Sequence, residues 1–420
     1  MAENEKRYQE RAQELQKELI FKYYGELSKA AEEKEHTAYV MISGTPEELL
    51  RVFDFHLVFP EVNALQLAIR KQALQPILKA EELGYSSDNC GYVKADVGFY
   101  LSGRVGPWGK IPEPTLVLCN YVGCNTYIKW FEHLAQLSGA PLFMLDIPHP
   151  RDPRASQEDI RYVMKQLEEL IELCEQITGK KFDMDRLKEN VAYAKEAGEY
   201  WARLRTLTKN VPSPYDAYFD AIALMAPINV LRGTKEAAEF YKIALQQYEE
   251  KVTEGAGAVE QEKFRIVMEG PPPYPYFKVF RSLFDRWGAV TVASTYSTVG
   301  GTWDFGFRHD PERPLESIAE HMLYANYTNE NFLNRYAQIK RYIEEWSADA
   351  LVIHSVKSCR LFTAGQGDMR EYFSKDLGIP TLLIESDLED PRYFSEAQLK
   401  NRIDAFFESL EHQKYYRKEH

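Results

Sequence analysis

The sequence lacks long apolar runs and has no excess of positive charge. No apolar stretch in its 420 residues approaches the roughly 20 residues that are needed to span a bilayer. The chain begins with the charged stretch MAENEKRYQERAQELQ, which is unlike a signal peptide. Lys and Arg number 51 against 64 Asp and Glu, so the net charge of -13 leaves no basic surplus for nucleic-acid phosphates. We therefore expect a cytoplasmic protein that binds neither a membrane nor a nucleic acid.

Two nucleotide-binding motifs are also absent, and cysteine is scarce. Without a G-x-x-x-x-G-K-[ST] segment the chain is not expected to hydrolyse ATP through a P-loop, and the dinucleotide motif G-x-G-x-x-G is missing as well. The five cysteines are an odd number in a chain without an export signal, which argues against a disulfide framework. They are therefore core thiols, nucleophiles or metal ligands.

The distribution of apolar residues predicts an α/β fold. Hydrophobic residues make up 45% of the chain, enough for a large core and more than one domain. Strand-like and helix-like segments alternate in two regions, which indicates crossovers in mainly parallel sheets, and long helical patterns separate these regions. The predicted organisation is an N-terminal helical segment (1–36), a first α/β lobe (37–155), a helical middle segment (156–258) and a second α/β lobe with a C-terminal helix (259–420). Within the first lobe, NALQLAIRKQALQPILKAEELG predicts one long helix that ends at Gly84.

Three of the cysteines occupy positions where parallel sheets bind ligands. Open parallel sheets bind ligands beyond the carboxyl ends of their strands. Cys359 follows the strand ALVIH and Cys124 follows the strand TLVLC, each just before a helix, while Cys90 lies in a polar segment after a helix. Free amides at such turns stabilise a thiolate. Cys119 ends an apolar run and Cys174 lies in a helical stripe, so both are assigned to packing.

Several interpretations of Cys90, Cys124 and Cys359 stay open at this point. Core packing is the ordinary role of an unpaired cysteine. Separations of 34 and 235 residues match no zinc ribbon, zinc finger or ferredoxin spacing. If the three thiols converge, their ligand type favours iron-sulfur chemistry or zinc. A nucleophilic Cys359 with His354, five residues earlier, as its base is the competing interpretation.

A carboxylate and a set of aromatic residues are further candidates for a pocket. Glu61 follows Pro60 in a mostly apolar neighbourhood that would raise its pKa into the range of acid-base catalysis, although a solvated helix-cap carboxylate fits the same residues. The segment STYSTVGGTWDFGFRHDP carries enough aromatic area to line a flat apolar pocket or to pack as an ordinary long loop. Its aromatic candidates are Tyr296, Trp303, Phe305 and Phe307.

Six segments together resemble one known family over nearly the whole chain. They are SDNCGYVKAD, LCNYVGCNTYIKWFE, VMEGPPPY, VGGTWDFGFRHDP, HSVKSCRLFTAGQ and DLEDPRYFS. In this order they resemble the 2-hydroxyacyl-CoA dehydratase and benzoyl-CoA reductase family, and within it they are most similar to the B subunits of ATP-dependent benzoyl-CoA reductases. The resemblance implies two flavodoxin-like lobes and a 4Fe-4S cluster between them, held by Cys90, Cys124 and Cys359. It also implies a place beside the substrate for Glu61, as a proton-transfer or pocket residue, and for Ser43.

The same resemblance implies an enzyme that works in a complex. Its partners would be a related cluster-bearing subunit in a heterodimer, an ATP-hydrolysing iron-sulfur activator, and reduced ferredoxin as the electron donor. The implied reaction is a Birch-like reduction, by single electrons and protons, of an aromatic acyl-CoA such as benzoyl-CoA to a cyclohexadienoyl-CoA. Two alternatives stay open: a subunit of a 2-hydroxyacyl-CoA dehydratase, and a two-lobed scaffold subunit without a catalytic metal.

Overall fold

A computed structural model describes residues 2–121, 124–149, 155–298, 306–324 and 331–419 of the chain. The first element is a long helix, α1 (Ala2–Glu33). One face of α1 is apolar at helical spacing and is buried against the rest of the protein, through Leu19, Ile20, Tyr23, Tyr24 and Leu27. The predicted N-terminal segment is therefore helical, and its apolar face packs against the rest of the protein.

The first lobe is built on a parallel sheet. Its four main strands lie in the order β2-β1-β5-β6, and every neighbouring pair is parallel. A small antiparallel hairpin of β3 and β4 lies outside this sheet. The elements in chain order are β1 (Thr37–Val40), α2 (Glu47–Val52), β2 (His56–Val58), α3 (Pro60–Ile69), α4 (Leu74–Glu82), α5 (Gly91–Leu101), β3 (Val105–Gly106), β4 (Gly109–Lys110), β5 (Leu116–Tyr121), α6 (Asn125–Ser138) and β6 (Leu142–Asp146).

Helices alone form the middle of the chain. Its three long helices each begin at a residue whose side chain accepts hydrogen bonds from backbone N–H groups of the first turn, namely Ser156, Asp183 and Thr234. These caps explain where the helices start. The helices are α7 (Gln157–Thr178), α8 (Met184–Thr206), α9 (Phe219–Leu224), α10 (Ala226–Val230) and α11 (Lys235–Glu254).

The second lobe repeats the architecture of the first. Its strands lie in the order β10-β9-β7-β8, again with every neighbouring pair parallel. Strands β7, β8 and β9 are buried along their whole length, as their mainly apolar sequences predict. The elements are β7 (Phe264–Glu269), α12 (Phe277–Asp285), β8 (Ala289–Ser294), α13 (Pro314–Tyr324), α14 (Phe332–Glu345), β9 (Ala350–Val356), α15 (Arg360–Thr363), α16 (Gln366–Glu371), β10 (Thr381–Ser386) and α17 (Glu396–Glu419).

The two parallel sheets confirm the predicted α/β fold class with two flavodoxin-like lobes. One hydrophobic core joins α1, both lobes and the middle helices, and a smaller core lies beside β7, β8 and β9. The boundaries between the four predicted segments stay a prediction, because one hydrophobic core is shared between the segments. Within the parts of the chain that the structure describes, no helix combines the length and the apolar character needed to cross a membrane.

Three details of the first lobe differ from the prediction. The single long helix predicted to end at Gly84 is two helices, α3 and α4, separated by a turn in which Lys71 has a φ of 60°. Strand β2 was not predicted, because a strand of three residues is too short to show an alternation of apolar and polar residues. Helix α5 was not predicted either, since nearly all of its residues are buried and its sequence therefore shows no polar face.

Candidate functional site

A large cavity lies where the two lobes, α1 and the middle helices meet. Its volume is about 1690 Å³. The cavity is lined from the first lobe by α3 and the loops after β1 and β5, and from the second lobe by the loop after β9. Its lining includes every residue that the family resemblance implies for the cluster or the substrate, namely Ser43, Glu61, Cys90, Cys124 and Cys359. The structure thus brings together residues from distant parts of the chain.

Each cavity cysteine is the residue immediately before a helix. Cys90 precedes α5, Cys124 precedes α6 and Cys359 precedes α15. The backbone N–H groups of the second and third residues after each cysteine lie close to its sulfur atom and favour the thiolate form. The helix starts therefore aim three sulfur atoms into one cavity from two lobes.

The three sulfur atoms also influence one another. Burial raises the pKa of the Cys90 thiol well above its usual value, and repulsion from the sulfurs of Cys359 and Cys124 raises it further. Burial raises the pKa of the Cys359 thiol to about 12, and the sulfur of Cys124 adds to that rise. No cationic side chain is among the described groups that most shift the pKa of either thiol. Thiolates in such surroundings need a positively charged partner.

The donor set fits an iron-sulfur cluster. Three sulfur atoms without a histidine are a soft donor set of the kind that binds iron-sulfur clusters or zinc. Among the described residues, no group of three His, Cys, Asp or Glu side chains is arranged to hold a metal ion. The assignment of Cys90, Cys124 and Cys359 as the ligands of such a cluster stays a prediction.

The other two cysteines lie in the protein core. Both are completely buried, and burial raises the pKa of each thiol to about 12. The Sγ atom of Cys119 lies 3.9 Å from the Sδ atom of Met41, and Cys174 is within the apolar face of α7. Neither lines the cavity. The assignment of Cys119 and Cys174 to packing is therefore confirmed.

His354 is not placed to activate Cys359. Its Nδ1 atom lies 2.5 Å from the carbonyl oxygen of Pro271, and its Nε2 atom lies 2.6 Å from the hydroxyl oxygen of Ser386. Both ring nitrogens are thus engaged, and burial lowers the pKa of this histidine to about 4. The interpretation of Cys359 and His354 as a nucleophile and its base is wrong, because strand β9 directs the histidine into the second lobe.

Glu61 is a buried carboxyl group at the start of α3. It follows Pro60, which occupies the first position of the helix, and only 3% of its surface is exposed. Its Oε1 atom accepts a hydrogen bond from the backbone N–H of Ile42 at 3.2 Å, and among the described residues its Oε2 atom has no hydrogen-bond partner. Burial raises the pKa of Glu61 to about 7. The alternative of a solvated cap is wrong, and Glu61 can hold or release a proton near neutral pH.

A second buried carboxyl group, Asp96, was missed in the sequence. It lies on α5, and one of its oxygens accepts a hydrogen bond from the Nε1–H of Trp130 on α6 at 3.0 Å. Burial raises the pKa of Asp96 well above its usual value, and the nearby charge of Glu61 raises it further. This bond ties together the two helices that begin after Cys90 and Cys124. Nothing in the local sequence distinguishes this aspartate from a surface residue.

Tyrosines form one part of the aromatic lining of the cavity. Tyr92, Tyr127 and Tyr296 line it, and the hydroxyl oxygens of Tyr92 and Tyr296 are 3.5 Å apart. Tyr296 belongs to the aromatic segment singled out from the sequence, whereas Tyr92 and Tyr127 were missed. Phe307 is buried elsewhere, against His309 at a ring distance of 5.0 Å. Trp303 and Phe305 lie outside the described residues.

Cationic side chains also reach the cavity. Lys17, Arg70, Arg335 and Arg360 are among its lining residues. The guanidinium of Arg70 lies 4.0 Å from the ring centroid of Trp108, which is another lining residue. A cavity with these groups can accept an anionic ligand even though the whole chain is acidic.

The chain has extensive similarity to known proteins. The family model described as 2-hydroxyglutaryl-CoA dehydratase, D-component, matches residues 42–410. The B subunit of the benzoyl-CoA reductase of Thauera aromatica is 41% identical over 405 residues, which cover 94% of each chain. The (R)-phenyllactyl-CoA dehydratase alpha subunit of Clostridium sporogenes is 31% identical over 88% of each chain. The alpha subunit of (R)-2-hydroxyglutaryl-CoA dehydratase of Acidaminococcus fermentans is 25% identical over 94% of this chain and 96% of its own. These similarities confirm the resemblance that the motifs predict.

Proposed function

Because the chain belongs to the 2-hydroxyglutaryl-CoA dehydratase D-component family, we propose that it is the cluster-bearing B-type subunit of an ATP-dependent benzoyl-CoA reductase. The observation that carries this proposal is the meeting of Cys90, Cys124 and Cys359 with the buried Glu61 in one cavity. The 41% identity to a benzoyl-CoA reductase subunit supports the choice of reaction.

The proposed cofactor is a 4Fe-4S cluster held by Cys90, Cys124 and Cys359. Bound there, it would supply single electrons at low potential, and a set of three cysteines would leave one iron without a protein ligand. The chain's own contribution is three cysteine sulfur atoms, each placed at the start of a helix, α5, α6 or α15.

The overall reaction adds two electrons and two protons to the aromatic ring of the thioester and gives a cyclohexadienoyl-CoA. Glu61 is proposed as a proton donor, because its pKa of about 7 keeps much of it protonated near neutral pH. Its Oε2 atom, which has no hydrogen-bond partner among the described residues, is available to carry that proton. The apolar walls of the cavity limit the access of water to the reacting ring.

The size of the cavity supports a coenzyme A thioester as the substrate. Ligand pockets commonly have volumes of about 300–1,000 Å³, and the cavity of about 1690 Å³ exceeds that range. An aromatic acyl group would fill only a small part of it. The remaining space, with Lys17, Arg70, Arg335 and Arg360 on its walls, suits the long anionic carrier.

The proposed reaction also requires partners. The names of the relatives describe subunits, and this supports a heteromeric complex. We propose a related cluster-bearing subunit as the heterodimer partner, an ATP-hydrolysing iron-sulfur activator, and reduced ferredoxin as the donor, all in the cytoplasm. The absence of a P-loop motif agrees with ATP hydrolysis on a separate subunit.

A 2-hydroxyacyl-CoA dehydratase subunit is the second candidate. The matching family model and the relative from Clostridium sporogenes favour it, since both carry dehydratase names. A dehydratase would use the same cavity to remove water from its substrate with only a catalytic amount of electrons. A scaffold subunit without a metal is the third candidate, and the experiments must distinguish it from the reductase and the dehydratase.

Turnover of the anaerobically purified complex tests these functions. We expect benzoyl-CoA to be reduced with stoichiometric consumption of ATP and electrons. Release of water from a 2-hydroxyacyl-CoA, with no reduction of benzoyl-CoA, would instead identify a dehydratase. Iron and sulfide analysis of the same preparation addresses the scaffold alternative, because a colourless sample without iron would contradict both enzymatic functions.

A further inference from the structure

Asp387 is a buried carboxylate at the carboxyl end of the second sheet. It follows β10, and only 1% of its surface is exposed. Its Oδ1 atom accepts hydrogen bonds from the backbone N–H groups of Glu389 and Asp390, both at 3.0 Å. Its Oδ2 atom accepts a third, also at 3.0 Å, from the backbone N–H of Ser358. Asp387 therefore holds the residue that immediately precedes Cys359.

The same carboxylate lies against the turn that carries Cys90. The backbone N–H of Gly91 donates a hydrogen bond to the hydroxyl oxygen of Ser358 at 3.2 Å. A Cβ atom added at Gly91 would lie 3.0 Å from Oδ1 of Asp387 and 2.7 Å from Cβ of Glu389. Position 91 thus has no room for a side chain. Asp387 lies between the cysteine turns of the two lobes.

The charge of Asp387 is not balanced by a salt bridge within the described residues. By contrast, Asp390, in the same loop, is 2.6 Å from Arg392 and 3.8 Å from Lys94. The hydrogen bond from the backbone N–H of Ser358 places the carboxyl group of Asp387 next to the Cys359 turn. A fixed negative charge that is buried beside a redox centre opposes the addition of an electron to that centre.

We propose that Asp387 is a positioning residue that holds the Cys359 turn against the Cys90 turn and lowers the reduction potential of the cluster between them. This inference rests on the proposed function, because it requires a cluster at the three cysteines. Asp387 acts through the backbone of Ser358 and through its charge, rather than by contact with the substrate.

The test compares the full-length chain with Asp387→Asn and Glu385→Gln, all purified anaerobically with iron and sulfide measured per chain. Both substitutions remove one negative charge. Glu385 is exposed on β10, where solvent screens its charge, so it is the matched control. The fraction of reduced cluster is followed by electron paramagnetic resonance during titration with a low-potential chemical reductant.

We expect Asp387→Asn to keep its iron and to be reduced more easily. At the potential where the wild-type cluster is half reduced, its reduced-to-oxidised ratio should be about tenfold higher, which is about 59 mV for one electron. Glu385→Gln should change that ratio less than about threefold, because its charge is solvated. An Asp387→Asn cluster with the wild-type potential would overturn the proposal, and so would an equal shift in both variants.

If Asp387→Asn loses the cluster, two further variants show whether the charge or the structure is responsible. Asp387→Ser keeps a hydroxyl acceptor without the charge, and Asp387→Glu keeps the charge. A raised potential in Asp387→Ser would support the proposal. Loss of iron from both neutral variants, with iron retained in Asp387→Glu, would overturn it in favour of a purely structural role. A wild-type chain without iron or sulfide would instead refute the proposed function, and this inference with it.

Discussion

The hydroxyl oxygen of Ser358 accepts a hydrogen bond from the backbone N–H of Gly91 at 3.2 Å, across 267 positions of the sequence. Ser358 precedes Cys359 and Gly91 follows Cys90, so this bond joins the cysteine turns of the two lobes. Arg392 of the second lobe adds a bidentate contact to Glu81 of the first, with distances of 3.0 and 2.6 Å. The relative position of the two cysteines is thus fixed by direct contacts between the lobes.

Replacement of a cavity cysteine should remove the metal. We expect Cys124→Ala and Cys359→Ala to lose most of their iron and all activity, because two thiolates cannot retain a cluster that three hold. Iron and sulfide analysis with the visible absorption spectrum measures this loss. Cys174→Ala is the control, since Cys174 is buried in α7 and does not line the cavity. It should keep the iron at a cost to stability on the order of 1 kcal/mol. Unchanged iron in Cys359→Ala would refute the ligand assignment.

Replacement of Glu61 should alter the dependence of turnover on pH. Its pKa is raised from 4.5 to about 7, so the protonated form predominates below that pH and falls tenfold per pH unit above it. Turnover that depends on this proton should therefore decline above about pH 7. Glu61→Gln should lower turnover about 100-fold or more, the usual contribution of a general acid, and abolish the inflection near pH 7.

Glu113→Gln is the matched control for Glu61, because its side chain is 56% exposed, pairs with Arg104 and does not line the cavity. It should keep the wild-type pH profile. The iron content of Glu61→Gln should also equal that of the wild type, which separates a loss of proton transfer from a loss of the cluster. Wild-type turnover in Glu61→Gln would contradict its role as a proton donor.

The bond between Trp130 and Asp96 should make a measurable contribution to stability. Trp130→Phe removes the Nε1–H donor and leaves a buried oxygen of Asp96 without this bond, at a cost of about 1–3 kcal/mol beyond the loss of ring volume. Trp201→Phe is the control, because Trp201 is equally buried but its Nε1 atom has no hydrogen-bond partner among the described residues. Urea denaturation measures the free energy of unfolding of both variants. Equal losses of stability in Trp130→Phe and Trp201→Phe would refute a specific contribution of the bond.

Two glycines in helices should respond oppositely to alanine. A Cβ atom at Gly98 of α5 would lie 1.9 Å from the carbonyl oxygen of Pro76 in α4, so Gly98→Ala should destabilise the protein by about 3 kcal/mol or more. At Gly25 of α1 no atom lies within 4 Å of the added Cβ, and Gly25→Ala should stabilise the protein by about 1 kcal/mol. Thermal unfolding measures both changes. A Gly98→Ala variant of wild-type stability would contradict the close approach of α4 and α5.

Much of the fold could be predicted because its main strands are buried on both faces. Strands β5, β7 and β9 are mainly apolar for that reason, and their order with the intervening helices specifies a parallel arrangement. Helix α5 was missed because burial on all sides removes the polar face that marks a helix in a sequence. The split between α3 and α4 depends on a single left-handed residue, Lys71, which no local signal identifies.

The candidate site could be predicted only in part. Cys124 and Cys359 were recognisable because each follows a buried strand, where the carboxyl edge of a parallel sheet collects ligands. Asp96 was not, since its role depends on Trp130, a partner that only tertiary packing brings to it. Asp387 likewise acquires its position from contacts with Ser358 and with the turn of Gly91. Tertiary contacts of this kind produce no periodic pattern in the sequence.

Under the proposed ligand assignment, the wide spacing of the cavity cysteines would also limit when the cofactor could be inserted. Cys359 leaves the ribosome 235 residues after Cys124, and the strands that position it belong to the last lobe to be synthesised. A nascent chain that has completed only its first lobe offers two of the three thiols. Any inorganic group that needs all three must therefore be delivered after translation of the second lobe, and a chain truncated before residue 359 would never mature.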